Sequence, residues 1–158
     1  MEVIDPELES FLLAVDSAPP VKRSKEQWAE FDDRTADVRR QLVEKFGGPV
    51  SRSKTQDAAF LFDVSKSADP PDGQSAYTLR FSLFGELVGM WADLDRLNDA
   101  SRRVVLEEAP GVLEALGFRP VWFDEVDFSY TGEKFRDFCA GSTRDNECTW
   151  YWRFFDYL

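Results

Sequence analysis

One apolar stripe constrains this chain more than any other feature. Trp28, Phe31, Thr35, Val38 and Leu42 recur at alternating steps of three and four residues, and Phe46 follows one turn later. That period is the signature of an amphipathic helix. Ser24 with Gln27 three residues on resembles a capping box, and Gly47-Gly48-Pro49 supplies the stop. The remaining faces carry Glu30, Asp33, Arg34, Asp37, Arg39, Arg40 and Glu44. A helix with one apolar face must lay that face on another element.

The spacing predicts what covers it. Ala59 to Val64 and Tyr77 to Phe84 both read as strands. In the second, Tyr77, Leu79, Phe81 and Leu83 fall on one side and Thr78, Arg80, Ser82 and Phe84 on the other. Asp69-Pro70-Pro71-Asp72-Gly73 between them is dense turn chemistry, so the pair reads as an antiparallel hairpin with a long, mobile tip and one face under the helix. At the start, Asp5-Pro6-Glu7 has the order of an N-cap, a proline at the first helical position and an acidic first turn. Leu8, Phe11, Leu12 and Val15 follow, giving a short helix over about 6 to 15 that ends before Pro19-Pro20.

Residues 85 to 98 fit either a helix or a strand that bulges at Gly85 or Gly89. Ser101 to Ala109 reads as helix, and Pro110 either kinks it or opens a second helix through Val112, Leu113 and Leu116, ended by Gly117. Phe118 to Phe123 resumes strand character, with Pro120 at a strand start or edge. The ending Thr149 to Leu158 is aromatic on both alternating faces and reads as a strand inside the sheet. The expected architecture is therefore one α+β domain over 1–158. Its mainly antiparallel sheet has about four strands, packed against two to four helices.

Charge and composition limit function. Of 158 residues, 30 are acidic and 19 basic, for a formal charge of −11, a field that repels phosphate backbones and anionic lipid headgroups and favours basic partners. Nucleic acid and membrane are thus not expected partners, and no stretch approaches the roughly 20 apolar residues of a spanning helix. Met1 to Pro20 carries acids where an export signal carries bases.

The chain has no histidine, which removes every His-dependent triad or metal site. No phosphate-cradling or dinucleotide loop occurs, because Gly47-Gly48 runs into proline. No cofactor, metal or catalytic residue is expected. Carboxylate-only hydrolysis is the enzymatic alternative, from Asp93, Asp95 and Asp99 or from Asp124, Glu125 and Asp127. The last three lack the spacing of a calcium loop. Two cysteines without histidine cannot complete an ordinary zinc site. Cys139 reads as a small buried hydrophobe beside Phe135 and Phe138 rather than a nucleophile; a disulfide to Cys148 is geometrically possible, but a large aromatic core in a cytosolic setting does not need one.

What remains is binding. Acids concentrate at Glu2 to Asp16, Glu86 to Asp99 and Asp124 to Asp137, with Trp91, Trp122 and Tyr130 interleaved. Aromatic anchors ringed by carboxylates suit a basic protein surface, which makes Asp93, Asp95, Asp99, Asp124, Glu125 and Asp127 the candidate partner-binding residues. A small-ligand or scaffold domain, with a pocket lined by Trp91, Trp122, Trp150 or Trp152, is the alternative.

Short motifs carry a resemblance as well: Phe84-Gly85 after a strand, Gly117-Phe118 after a helix, Tyr130-Thr131-Gly132 in a loop, and Trp152-Arg153-Phe154-Phe155-Asp156-Tyr157-Leu158 at the end. With them the chain resembles immunity proteins of bacterial polymorphic-toxin and contact-dependent inhibition systems. That resemblance implies a cytoplasmic, non-enzymatic protein that binds and blocks a cognate toxin domain. Such proteins differ widely in fold, so no contact residue carries over from the likeness.

Overall fold

The computed structural model describes residues 3–18, 23–54, 60–133 and 148–155, without the side chains of 60, 61 and 152. Helix α1 is Pro6–Ser17 and helix α2 is Lys25–Phe46. Asp5 caps α1 by accepting from the Glu7 and Leu8 N–H groups at 2.8 and 3.0 Å. The α2 capping box is complete: the Gln27 N–H donates to Ser24 Oγ and the Ser24 N–H to Gln27 Oε1. The helix closes on Gly47 at φ 66°, in the left-handed region where glycine carries no steric cost.

Five strands follow: β1 (Ser51–Lys54), β2 (Phe60–Ser67), β3 (Ser75–Ser82), β4 (Leu87–Ala92) and β5 (Arg119–Trp122). They form one sheet in sequence order, antiparallel from β1 to β4. The β4–β5 pair is parallel, with Leu87 opposite Arg119 and Met90 opposite Trp122. A parallel pair needs a crossover, which here runs through a three-residue 3₁₀ turn (Leu94–Arg96) and then α3 (Asp99–Arg103), a π-helical turn (Val104–Glu108) and α4 (Ala109–Ala115). Pro110 thus sits in the first turn of α4, where its missing N–H is tolerated. The widened turn before it absorbs the mismatch with α3. After α4, the Gly117 N–H donates to Glu114 O and the Phe118 N–H to Leu113 O at 3.0 Å each, a Schellman closure with Gly117 at φ 85°.

The sheet is buried on both sides by two apolar clusters, and alternation along β4 divides them. Val88 and Met90 join Tyr77, Leu79 and Phe81 of β3 beneath Phe31, Val38 and Leu42 of α2 and Val105 and Leu113 of the crossover. Leu87 faces the other way, toward Leu8 and Leu12 of α1 with Trp150, Phe154 and Phe155. Tyr77, Leu79 and Phe81 of the predicted β3 face and Phe31, Thr35, Val38 and Leu42 of the predicted α2 stripe are buried, whereas Leu83 falls beyond β3 and is only half-buried, and Trp28 at the end of the stripe stays 38 % exposed.

Three expectations are corrected. The segment predicted as an interior strand is, over its described part, a helix, α6 (Trp150–Phe155); residues 156–158 lie outside the described residues. Before it, strand character survives only in a bridge between Ser129 and Thr149. Trp150 stacks on Phe154 at 5.7 Å and Tyr151 on Phe155 at 6.1 Å, each four residues apart and therefore neighbours on a helix. Two apolar faces are satisfied because α6 is wedged against β3 and the short helix α5 (Phe123–Val126). Ser82 Oγ donates to Phe154 O at 2.8 Å, and Phe123 packs on Tyr151 and Phe155.

Secondly, the hairpin tip is tethered rather than loose. The Asp69 N–H donates to Arg96 O at 2.8 Å, Arg96 binds both oxygens of Asp72, and Lys66 Nζ reaches Asp69 Oδ1 at 2.8 Å. Thirdly, Cys148 is disulfide-bonded, although the core was expected to leave no need for it; Cys139 lies outside the described residues.

Candidate functional site

The acidic candidates separate into two settings. Asp93, half-buried, leaves β4 with its N–H on Ala76 O at 2.8 Å; Asp95 stands exposed in the 3₁₀ turn, and Asp99 opens α3 with Arg102 3.8 Å away. Asp124, Glu125 and Asp127 are exposed on and just beyond α5. Glu125 has a local duty, since its Oε2 accepts from the Trp122 N–H at 2.7 Å and so fixes the turn from β5 into α5.

That turn is what builds a site. It throws Phe123 inward over Gly89 of β4, where any Cβ would collide with the Phe123 ring. Trp91, two residues on, faces the same side and remains 39 % exposed. Between them opens a groove of about 350 Å³ lined by Trp91, Phe123, Asp124, Asp127 and Tyr151. A second groove of about 290 Å³ lies on the far side of Asp124, lined by Val3, Asp5, Leu8, Asp124, Glu125 and Phe128.

Thus the fold joins an aromatic from one predicted acidic segment to two acids from another, while Asp93, Asp95 and Asp99 line neither groove. Phe123 and Tyr151 were not singled out in the sequence. The alternating aromatics around Tyr151 read as an interior strand, and nothing in that pattern signals a half-buried groove wall. Of the four tryptophans expected at a pocket, Trp91 lines the first of these two grooves and neither Trp122 nor Trp150 lines either. Trp150 is fully buried, Trp122 packs on the α2 side of the sheet, and the Trp152 side chain lies outside the described residues.

Several carboxylates elsewhere in the structure are held by cations, while others, the exposed Asp95 among them, have none among the described residues. Glu86 is shared by Arg23 and Arg34, Asp63 is gripped by Arg80, Asp69 by Lys66 and Asp72 by Arg96. Asp124 and Asp127 have no such cation among the described residues. Nor do three or more carboxylates or cysteines converge there as a metal ion would require. No described helix is long and apolar enough to cross a membrane. No family model, curated protein or solved structure matches this chain.

Proposed function

We propose that the chain is a binding protein whose acidic, aromatic face at α5 and β4 docks on a basic protein. In the reading suggested by its resemblance, that partner is a toxin domain which it neutralises as an immunity protein. The observation that supports this most is the pairing of exposed Trp91 with two carboxylates, Asp124 and Asp127, that have no cation partner among the described residues, in one open groove. An aromatic that loses water on docking supplies contact energy, and unpaired carboxylates steer a cationic partner toward it. Neutralisation would follow from occlusion: a toxin that reads phosphate or another anion presents cations at its active site, and an acidic protein competes for them.

The resemblance also implies a cytoplasmic setting, and the disulfide at Cys148 counts against it, because reducing thiol pools keep most cytosolic cysteines apart. The binding reading does not depend on the compartment. A carboxylate hydrolase is less well supported. Asp124 and Asp127 stand in solvent, without the buried cleft that tunes one carboxylate into a general acid.

A toxin-bearing reading frame beside the gene would supply the candidate partner. With that domain, stopped-flow association should slow by roughly tenfold or more as sodium chloride rises from about 0.05 to about 0.5 M. An association rate indifferent to salt would remove electrostatic steering and with it this reading of the acidic face.

A further inference from the structure

Resting on the protein-binding reading above, we propose that the groove between Trp91, Phe123 and Tyr151 receives an arginine side chain of the partner, and that the groove across Asp124 receives an apolar side chain from the same segment. The walls of the first groove are three aromatic rings, whose faces carry negative charge density, and its rim holds Asp124 and Asp127. A planar guanidinium satisfies both features at once, stacking on a ring while its N–H fork engages carboxylate oxygens. An ammonium can meet the charge but not the plane.

Among the described residues a cation touches this wall: Arg80 Nη1 reaches the Tyr151 hydroxyl at 3.3 Å. Its charge is already balanced, with Nε and Nη2 on the two oxygens of Asp63 at 3.1 and 3.2 Å. The groove therefore keeps the negative character of its rim.

The second groove decides between a free small cation and a side chain on a polypeptide. It shares Asp124 with the first, and its other walls include Val3, Leu8 and Phe128. Both of its remaining carboxylates are engaged locally, Asp5 in capping α1 and Glu125 on the Trp122 N–H, so its free surface is apolar. A small cation uses only the first groove. A chain that carries arginine and an apolar residue a short step apart fills both, with Asp124 between them.

The test is a titration of the full ¹⁵N-labelled chain, read at the Trp91 indole N–H and at the Asp124 and Leu8 amides. The probes are acetyl-Arg-Ala-Leu-amide and acetyl-Arg-Gly-Ala-Leu-amide, their citrulline analogues, acetyl-Arg-amide, and sodium chloride at matched ionic strength. At least one arginine peptide should give saturable shifts at all three positions. Citrulline, which keeps the shape and loses the charge, should weaken binding about tenfold, and acetyl-Arg-amide should bind several-fold less tightly and leave Leu8 unmoved. Asp124→Asn with Asp127→Asn, both exposed positions, should reproduce the citrulline loss, whereas Asp95→Asn should not.

Equal binding of citrulline and arginine peptides would overturn the cation seat. Equal binding of acetyl-Arg-amide and the longer peptides would overturn the commitment to a polypeptide segment. Shifts no larger than those from salt would overturn both. If the peptides fail while a basic partner still binds with salt-dependent kinetics, this assignment falls and the broader binding reading stands. If that partner also fails to bind, both fall.

Discussion

Tyr77 is buried with one polar atom left without compensation. It is 1 % exposed on β3, its ring meets Phe46 edge-on at 6.0 Å, and its hydroxyl has no hydrogen-bond partner among the described residues. Burial pushes the ionisation of that phenol far above its ordinary range. A hydroxyl taken from water without a new partner costs stability, so Tyr77→Phe, which keeps the ring and its contact, should raise the unfolding free energy by about 1 kcal/mol. Urea denaturation checks this, and a loss of comparable size would mean that the hydroxyl is bonded after all. Its cross-strand neighbour Lys66 shows the contrast. That ammonium is also buried but donates to Ser67 O at 2.9 Å and Asp69 Oδ1 at 2.8 Å. At this scale the period-two pattern of β3 showed which side chains turn inward, because alternation is a local property. Pairing was not legible: Glu86 meets Arg23 and Arg34, 63 and 52 residues away in sequence, so no local pattern could separate engaged acids from Asp124 and Asp127, which have no cation among the described residues.

At the scale of elements, the β2–β3 hairpin tip is held by carboxylates, which makes its stability depend on pH. Burial raises the Asp69 pKa, but hydrogen bonds from Lys66, Ser101 and the Asn98 N–H outweigh it, and the net effect is a lowered value. Arg96 and then the Gln74 N–H lower that of Asp72. Because these groups bind protons more weakly folded than unfolded, stability rises with pH through the acid range. Their contribution is complete above the ordinary carboxylate value of about 4 and is lost as pH falls through the folded values. Asp69→Asn should therefore cost about 1–2 kcal/mol at neutral pH, and the difference from wild type should shrink toward zero in urea melts near pH 2. A cost that persists unchanged in acid would show that shape, not charge, holds the tip. The two long helices and the hairpin were legible because period, cap and stop agree. The terminal segment was not: in Trp150–Phe155 every position but one is aromatic, so a period of two and a spacing of four fit equally well. Tertiary contact with Ser82 and Phe123 selected the helix, overriding β-propensity. β1, the polar Ser-Arg-Ser-Lys, carries no alternation and exists by pairing with β2.

For the molecule as a whole, one polar clasp ties the beginning of the described chain to its end. Asp16 of α1, its side chain 1 % exposed, accepts from Arg153 Nε of α6 at 2.6 Å and from the Tyr130 hydroxyl, while the Arg153 guanidinium lies over the Phe84 ring at 4.5 Å. Gly132 is required beside it, because a Cβ there would come within 2.5 Å of both Asp16 Oδ2 and the Tyr130 hydroxyl. Thr131 Oγ1 adds a bond to Glu9 of the same helix at 2.7 Å. Removing a buried acceptor shared by two partly buried donors is costly, so Asp16→Ala should lower stability by about 3 kcal/mol. A double-mutant cycle with Arg153→Met separates the clasp from simple loss of packing: a coupling of about 1–3 kcal/mol is expected if the pair acts as a unit. Additive losses would mean that Leu12, Trp150 and Phe154 hold α1 in place by apolar burial alone. The difference reaches the surface, since α1 contributes Asp5 and Leu8 to the apolar groove beside Asp124. Hydrogen exchange should then show α1 opening before the β2–β3 hairpin in Asp16→Ala, and an α1 that stays as protected as in wild type would break the link between the clasp and that groove.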